Sequence, residues 1–278
     1  MEFRTVVAIN KSSFEIQPCE QMLFVGSCFA EKMGLRFQEE RFRVVFNPYG
    51  VMYNPASVLH TVERIYATRE KERIAMPSTV ILSLGTNRVY ILKETGEIVD
   101  NCQKQPQRLF EERELSVDEC ADYICRTINL LREWNPAVRV ILTVSPIRYR
   151  KYGYHGSQLS KATLLLAVDK VIFNLLYSTS DVIYFPSYEI VLDELRDYRF
   201  FKEDMLHPSK LAGEYIWERF TECCFSEAAK QFLTEWKPIK DALNHQPFNP
   251  ESEDYIQLMK RVKEKMAELK EKYPDFPM

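Results

Sequence analysis

The sequence predicts an α/β protein: a three-layer α/β/α domain around a mostly parallel five-stranded sheet, followed by a helical appendage. Three observations carry this prediction. Short apolar runs alternate with longer segments of helical periodicity, each run ends in Gly, Asn, Ser or Pro, and the last fifty or so residues turn strongly charged and amphipathic.

The first run, residues 22–25, ends in Gly-Ser-Cys and leads into apolar residues at helical spacing (Phe29, Met33, Phe37), which is strand, sharp turn, helix. A second strand at 43–46 closes with Asn47-Pro48-Tyr49-Gly50. Asn54-Pro55 then starts a helix through Val58, Leu59, Val62 and Ile65. Residues 79–84 form a third strand ending at Gly85-Thr86-Asn87, followed by a hairpin of 89–92 and 98–99 around a turn at 94–97. Ser116 and Glu119 make a capping box for a helix with Cys120, Ile124, Ile128 and Leu131 on one face. Asn135-Pro136 stops that helix. The β-branched run 138–144 is a fourth strand, ending at Ser145-Pro146-Ile147-Arg148. An apolar helix over 160–177, a fifth strand over 182–185 and a helix over 209–225 complete the alternation, which calls for a parallel sheet covered on both faces. Beyond it, a helix at 228–236, a Pro/Asn connector at 244–250 and a charged helix carrying Ile256, Met259, Val262, Met266 and Leu269 form the appendage. The expected division is therefore 1–225 and 226–278, with the second part packed on the first.

With 46% hydrophobic and 28% charged residues the chain has material for a large core, so disorder and disulfide-scaffold readings fall away. Lys+Arg 37 against Asp+Glu 40 is too balanced to call for nucleic acid or an anionic membrane as partner. The first ten residues lack the basic start and apolar stretch of a secretory leader, and no later run approaches the length of a membrane span. The expected location is the cytoplasm, and most of the seven cysteines, which include no C-x-x-C pair, are expected as reduced thiols packed as small hydrophobes. Four histidines, none four residues apart, give a metal site little to be built from. Neither G-x-G-x-x-G nor G-x-x-x-x-G-K-[ST] occurs, and no cofactor is implied.

Ligands of open parallel sheets bind beyond the carboxyl ends of the strands, so the residues just after each run are the ones to interrogate. They pair a hydroxyl and a thiol, Ser27 and Cys28, at a strand-to-helix turn with Asp204-Met205-Leu206-His207 late in the chain. A nucleophile in the first helical turn sits among unpaired amides and the positive end of the helix dipole. His207 could take its proton, and Asp204 could hold the imidazole in one tautomer. The Ser27 amide, Gly50 and Asn87 are candidate oxyanion donors. Ser145 and Arg148 stand at the crevice edge, where an arginine can grip a carboxylate or phosphate. Asn101 and Lys104, after the hairpin, either fold over the site or form a solvated turn. His60 reads as a satisfied structural histidine, and Lys161 is expected to point to water.

Gly26-Ser27-Cys28-Phe29-Ala30 resembles the name-giving motif of the GSCFA family, which belongs with the SGNH/GDSL-like hydrolases. The likeness extends through Asn47 to Gly50, Asn101 to Lys104, Ser145 to Arg148, Gln158 to Ala162 and Asp204 to Pro208, from about residue 24 to about 220, with the final helices outside it. It implies an SGNH-like fold whose blocks correspond to the Gly-Ser-Cys turn, Gly50, Gly85-Thr86-Asn87 and Asp204 to His207. Two departures stand out. Laying Gly-Asp-Ser over Gly26-Ser27-Cys28 puts Cys28 in the nucleophile position, with Ser27 as fallback, and Arg88 replaces the Asp that follows Asn87 in the wider pattern. The resulting expectation is an esterase-type hydrolase acting on a small-molecule or carbohydrate ester or thioester. An acyltransferase, with a carbohydrate as one acceptor, and a non-catalytic ligand-binding module are the alternatives.

Overall fold

The computed structural model describes residues 4–176 and 180–277. Five parallel strands, β1 (Gln21–Gly26), β2 (Arg43–Phe46), β3 (Thr79–Leu84), β7 (Arg139–Val144) and β8 (Val182–Tyr184), form the central sheet in the order β2-β1-β3-β7-β8. Strand order reverses between β1 and β3, the chain stepping outward from β1 to β2 and then to the other side of β1, and a crevice opens beyond their carboxyl ends at such a switch point. The expected class is the observed one. The hairpin strands β4 (Arg88–Leu92) and β5 (Ile98–Val99) are joined by β6 (Phe110–Glu114) in a small antiparallel sheet. β6 was not foreseen because its sequence, Phe-Glu-Glu-Arg-Glu, is an exposed edge strand with a single apolar residue to mark it.

Alternate residues of the central strands face opposite layers. Phe24, Ile81 and Ile141 share one core with α1 (Cys28–Glu39), α6 (Lys210–Cys224), α7 (Glu227–Asn244) and α8 (Glu253–Lys272). Leu23, Val25, Val80, Leu82, Val140 and Leu142 share the other with α2 (Pro55–Thr68), α3 (Val117–Trp134) and α4 (Gly153–Leu176). Asn54 caps α2, and the Ser116–Glu119 capping box is formed as expected. Helix α4 begins at Gly153, well before the apolar stripe that announces it, and its expected end at Tyr177 lies outside the described residues. After β8 a short α5 (Ser187–Glu189) runs into a π-helical stretch, Ile190–Leu195.

Helices α7 and α8 are longer than the apolar periodicity alone suggests. They close over α1 through aromatic packing of Phe232 and Trp236 with Tyr273, Phe276 and Phe42. Trp236 Nε1 donates to the Glu39 carbonyl (3.0 Å), and Lys240 pairs with Glu40.

Candidate active site

The turn after β1 is fixed by what surrounds it. Gly26 has φ +136° and lies opposite Ser83 of β3; a Cβ there would stand 2.1 Å from the Ser83 carbonyl oxygen, so only glycine fits. Its amide donates to Asn47 Oδ1 (2.9 Å), and its carbonyl accepts from Met52 (2.9 Å). Asn47-Pro48-Tyr49-Gly50 therefore braces this turn, and the Gly50 amide closes it by donating to the Asn47 carbonyl (2.9 Å).

Ser27 is buried and is the N-cap of α1. Its Oγ accepts from the Phe29 amide (3.2 Å) and bonds Ser83 Oγ (2.8 Å), while its amide donates to the Ser83 carbonyl (2.9 Å). Cys28, the first helical residue, points instead into the crevice, with Sγ 3.7 Å from His207 Nε2. His207 Nδ1 donates to Asp204 Oδ2 (2.6 Å), which leaves Nε2 as the acceptor facing the thiol. Asp204 Oδ1 also accepts the amides of Leu206 (2.8 Å) and His207 (2.9 Å). Those two amides, and then the imidazole, hold its carboxyl below the ordinary range. The loop is a tight one. Lys202 donates to the His207 carbonyl (2.8 Å), Met205 has φ +59°, and the Arg148 amide ties it to the end of β7 through the Leu206 carbonyl (3.1 Å).

Burial pushes the Cys28 thiol above its ordinary pKa, against the smaller pull of Lys32, its own amide and Lys161. The helix start was expected to favour the thiolate, and here desolvation outweighs it. The thiol form is therefore favoured over the thiolate. A protonated thiol facing an imidazole nitrogen needs that nitrogen to take its proton as it reacts.

The structure brings Cys28, His207 and Asp204 together and leaves the other expected residues in different places. The Ser27 and Gly50 amides are engaged as above. Asn87 is turned inward: Nδ2 donates to the Leu115 carbonyl (2.8 Å), and its amide donates to Ser160 Oγ (2.9 Å). Arg88, where the wider pattern has Asp, pairs with Glu114 and stacks on Tyr152. Ser145 is buried, its Oγ accepting from the Ile147 amide (3.3 Å). Arg148 lies over the Phe201 ring, 4.4 Å from its centroid, beside the His207 loop. Asn101 Oδ1 caps a turn to the Gln103 amide (2.6 Å), and Lys104 is exposed; neither is joined to Cys28 or His207 among the described contacts. His60 is satisfied by Asp100 (2.9 Å), whose hydrogen bond raises its pKa.

Lys161 is the main surprise. Rather than reaching water it is 2% exposed, with Nζ donating to the Ser145 carbonyl (2.7 Å) and close enough to Cys28 for their charges to interact. A signal existed: Ser157, Ser160, Leu164, Ala167, Val168 and Val171 are all buried, and position 161 falls on that same stripe. Tyr53, whose pKa is raised by burial and then by Cys28, is a second wall residue that no motif marked.

Among the described residues all seven cysteines are unpaired, and no group of three or more His, Cys, Asp or Glu side chains could hold a metal ion. No helix among them is long and apolar enough to cross a membrane.

A thiol, an imidazole and a carboxylate in series, at the carboxyl edge of a doubly wound sheet, define the class: an α/β/α protein with a Cys-His-Asp constellation at its crevice. The profile of the GSCFA family matches residues 21–76 and 68–220, and that of the GSCFA domain protein, C-terminal domain, matches 236–278, so the chain belongs to the GSCFA family. The final helices, which the motif resemblance left outside, are thus part of the family's pattern. No curated protein matches. Similar solved structures include a family 3 carbohydrate esterase from Clostridium thermocellum (13% identity, 81% of this chain and 99% of that one, TM-score 0.43). Another is a carbohydrate esterase family 3 protein from Talaromyces cellulolyticus (11%, 77% and 99%, TM-score 0.41). A third is an acetyl xylan esterase from the rumen bacterium Butyrivibrio proteoclasticus (12%, 80% and 65%, TM-score 0.41).

Proposed function

We propose that the protein cleaves ester or thioester bonds through a covalent acyl-cysteine, with Cys28 as nucleophile, His207 as general base and then acid, and Asp204 holding the imidazole. The observation that carries this reading is the unbroken series of contacts from Cys28 Sγ to His207 Nε2 and from His207 Nδ1 to Asp204 Oδ2. In the first step the thiol proton passes to Nε2 as sulfur attacks the acyl carbon, and the imidazolium formed is stabilised by Asp204. The leaving oxygen or sulfur then takes that proton. Water attacks the acyl-cysteine in the second step, with His207 as base again, and the thiol is restored.

The oxyanion falls to the Cys28 amide at the start of α1. Helix geometry leaves that amide without an intrahelical acceptor, whereas the Ser27, Gly50 and Asn87 donors are already engaged.

The test is turnover of short-chain nitrophenyl esters and thioesters by the parent protein and by Cys28→Ala, Ser27→Ala and His207→Ala, with intact mass spectrometry to catch an acyl-enzyme. Loss with Cys28→Ala and His207→Ala but not with Ser27→Ala is expected. A sugar added as acceptor separates hydrolysis from acyl transfer. Binding of an acylated or anionic ligand without turnover, across a broad ester library, would overturn the enzymatic reading in favour of a binding module.

A further inference from the structure

A cavity of about 370 Å³, at the small end of the range for small-molecule pockets, lies against the His207 loop at Met205 and against Lys161, whose charge reaches Cys28. Its walls include Arg148, Lys161, Tyr154, Tyr188, Tyr198 and Met205. Met205 sits between Asp204 and His207 in sequence, so pocket and triad share a loop.

The two cations in this pocket are held in an unusual way. Arg148 is flanked by the rings of Phe201, Tyr154 and Tyr198, with centroids 4.4, 5.5 and 5.7 Å from its guanidinium carbon; its side-chain hydrogen bond is a long one to the Met205 carbonyl (3.5 Å). Lys161, at 2% exposure, gives one hydrogen to the Ser145 carbonyl and has two donors left over. Neither forms an ion pair with a carboxylate among the described residues. Glu189 and Asp193, which influence Tyr188, do not fill that role, since Glu189 accepts from the Tyr184 hydroxyl (2.8 and 2.9 Å) and Asp193 is exposed. Arg148 is half-buried, whereas Lys161 is fully enclosed; burying an ammonium without a counterion is costly, and a bound anion removes that cost. Burial also brings the Lys161 pKa down to about 7, a shift that an anion beside it would reverse.

From this geometry we infer that the cavity binds a carboxylate carried on the substrate, through Arg148 and Lys161, and so selects acyl groups that end in a carboxylate over neutral ones of the same length. A planar guanidinium matches a carboxylate in two parallel hydrogen bonds, and the tyrosine rings suit the methylene chain between the two ends.

This inference deepens the proposed acyl-cysteine reaction, and the experiment has two arms so that each idea can fail alone. In the first arm, calorimetry measures glutarate and its uncharged analogue glutaramide binding to the intact chain carrying Cys28→Ala, which cannot form an acyl-enzyme. Glutarate is expected to bind at least tenfold more tightly than glutaramide, and Arg148→Gln to erase that difference. In the second arm, loss of thioester absorbance gives kcat/KM for glutaryl and valeryl N-acetylcysteamine, acyl groups of equal carbon count. The glutaryl/valeryl ratio is expected above ten in the parent and near one in Arg148→Gln and Lys161→Met. The Arg148→Gln protein has to melt like its parent for that erasure to count, since a misfolded variant would bind neither ligand. Equal binding of glutarate and glutaramide, or a ratio that Arg148→Gln leaves unchanged, overturns the pocket and leaves the reaction standing. Tight glutarate binding with no thioester turned over upholds the pocket and removes the reaction.

Discussion

Replacing each of the neighbours Ser27 and Cys28 by alanine separates stability from chemistry. Ser27→Ala removes the cap of α1, which is worth about 1 kcal/mol, and strips the buried Ser83 hydroxyl of its partner, which costs about 1–3 kcal/mol. The sum is about 2–4 kcal/mol. Unfolding entropy for a chain of this length is about 0.6 kcal/mol/K, so Tm falls by about 3–7 °C. The Cys28–His207 contact does not involve Ser27, so turnover of a thioester below the transition should stay within about twofold of the parent. Cys28→Ala gives the opposite pattern. It removes a partly exposed thiol from a helix position that alanine suits, so stability changes by less than about 1 kcal/mol while turnover and acyl-enzyme formation vanish. Differential scanning calorimetry and intact mass after thioester addition read both quantities on the same samples. A Ser27→Ala protein that melts like the parent but no longer forms an acyl-enzyme would refute the reasoning.

Three further outcomes follow from the same geometry. Asp204→Asn keeps an acceptor for the Leu206 and His207 amides but loses the charge behind the imidazolium; kcat/KM should fall about 10- to 1000-fold with little change in KM, less than for a fully buried carboxylate because Asp204 is exposed. Since burial raises the Cys28 thiol, its alkylation by iodoacetamide at pH 7 should be slower than that of free cysteine and keep rising beyond pH 9; a plateau near pH 7, read by peptide mass, would mean a preformed thiolate. Gly26→Ala sets a Cβ against the Ser83 carbonyl at positive φ, and should cost more than about 3 kcal/mol or prevent folding, seen as lost yield or a collapsed Tm.

The layers were legible because the strands are short apolar runs with Gly, Asn or Ser at their ends, and these turn residues are also what the site is made of. Gly26, Cys28, Asp204 and His207 could be singled out for that reason. What stayed hidden depends on side-chain direction. Ser27 and Cys28 are adjacent and chemically alike, and only the cap geometry sends one hydroxyl to Ser83 and the other group's sulfur to His207. Asn87 sits at the right place in the chain, yet the unforeseen strand β6 delivers the Leu115 carbonyl that takes its side chain. Lys161 was misplaced because a charged residue was weighed by type, whereas the buried stripe from Ser157 to Val171 fixes its direction.

The motifs around the crevice divide by task. Asn47-Pro48-Tyr49-Gly50 braces the Gly26 turn through Asn47 Oδ1. Within Gln158 to Ala162, Ser160 holds the end of β3 through Thr86 and Asn87, while Lys161 holds the end of β7 through the Ser145 carbonyl. The ends of β1, β3 and β7 are thus each tied by a polar side chain from another element. The His207 loop hangs from the last of these ends through the Arg148 amide. A shift of one strand end relative to another would move sulfur and imidazole apart, and 3.7 Å leaves little room for that. Polar motifs away from the pair can therefore be as necessary to the site as Cys28 and His207 themselves, since they set the one distance on which the proposed proton transfer depends.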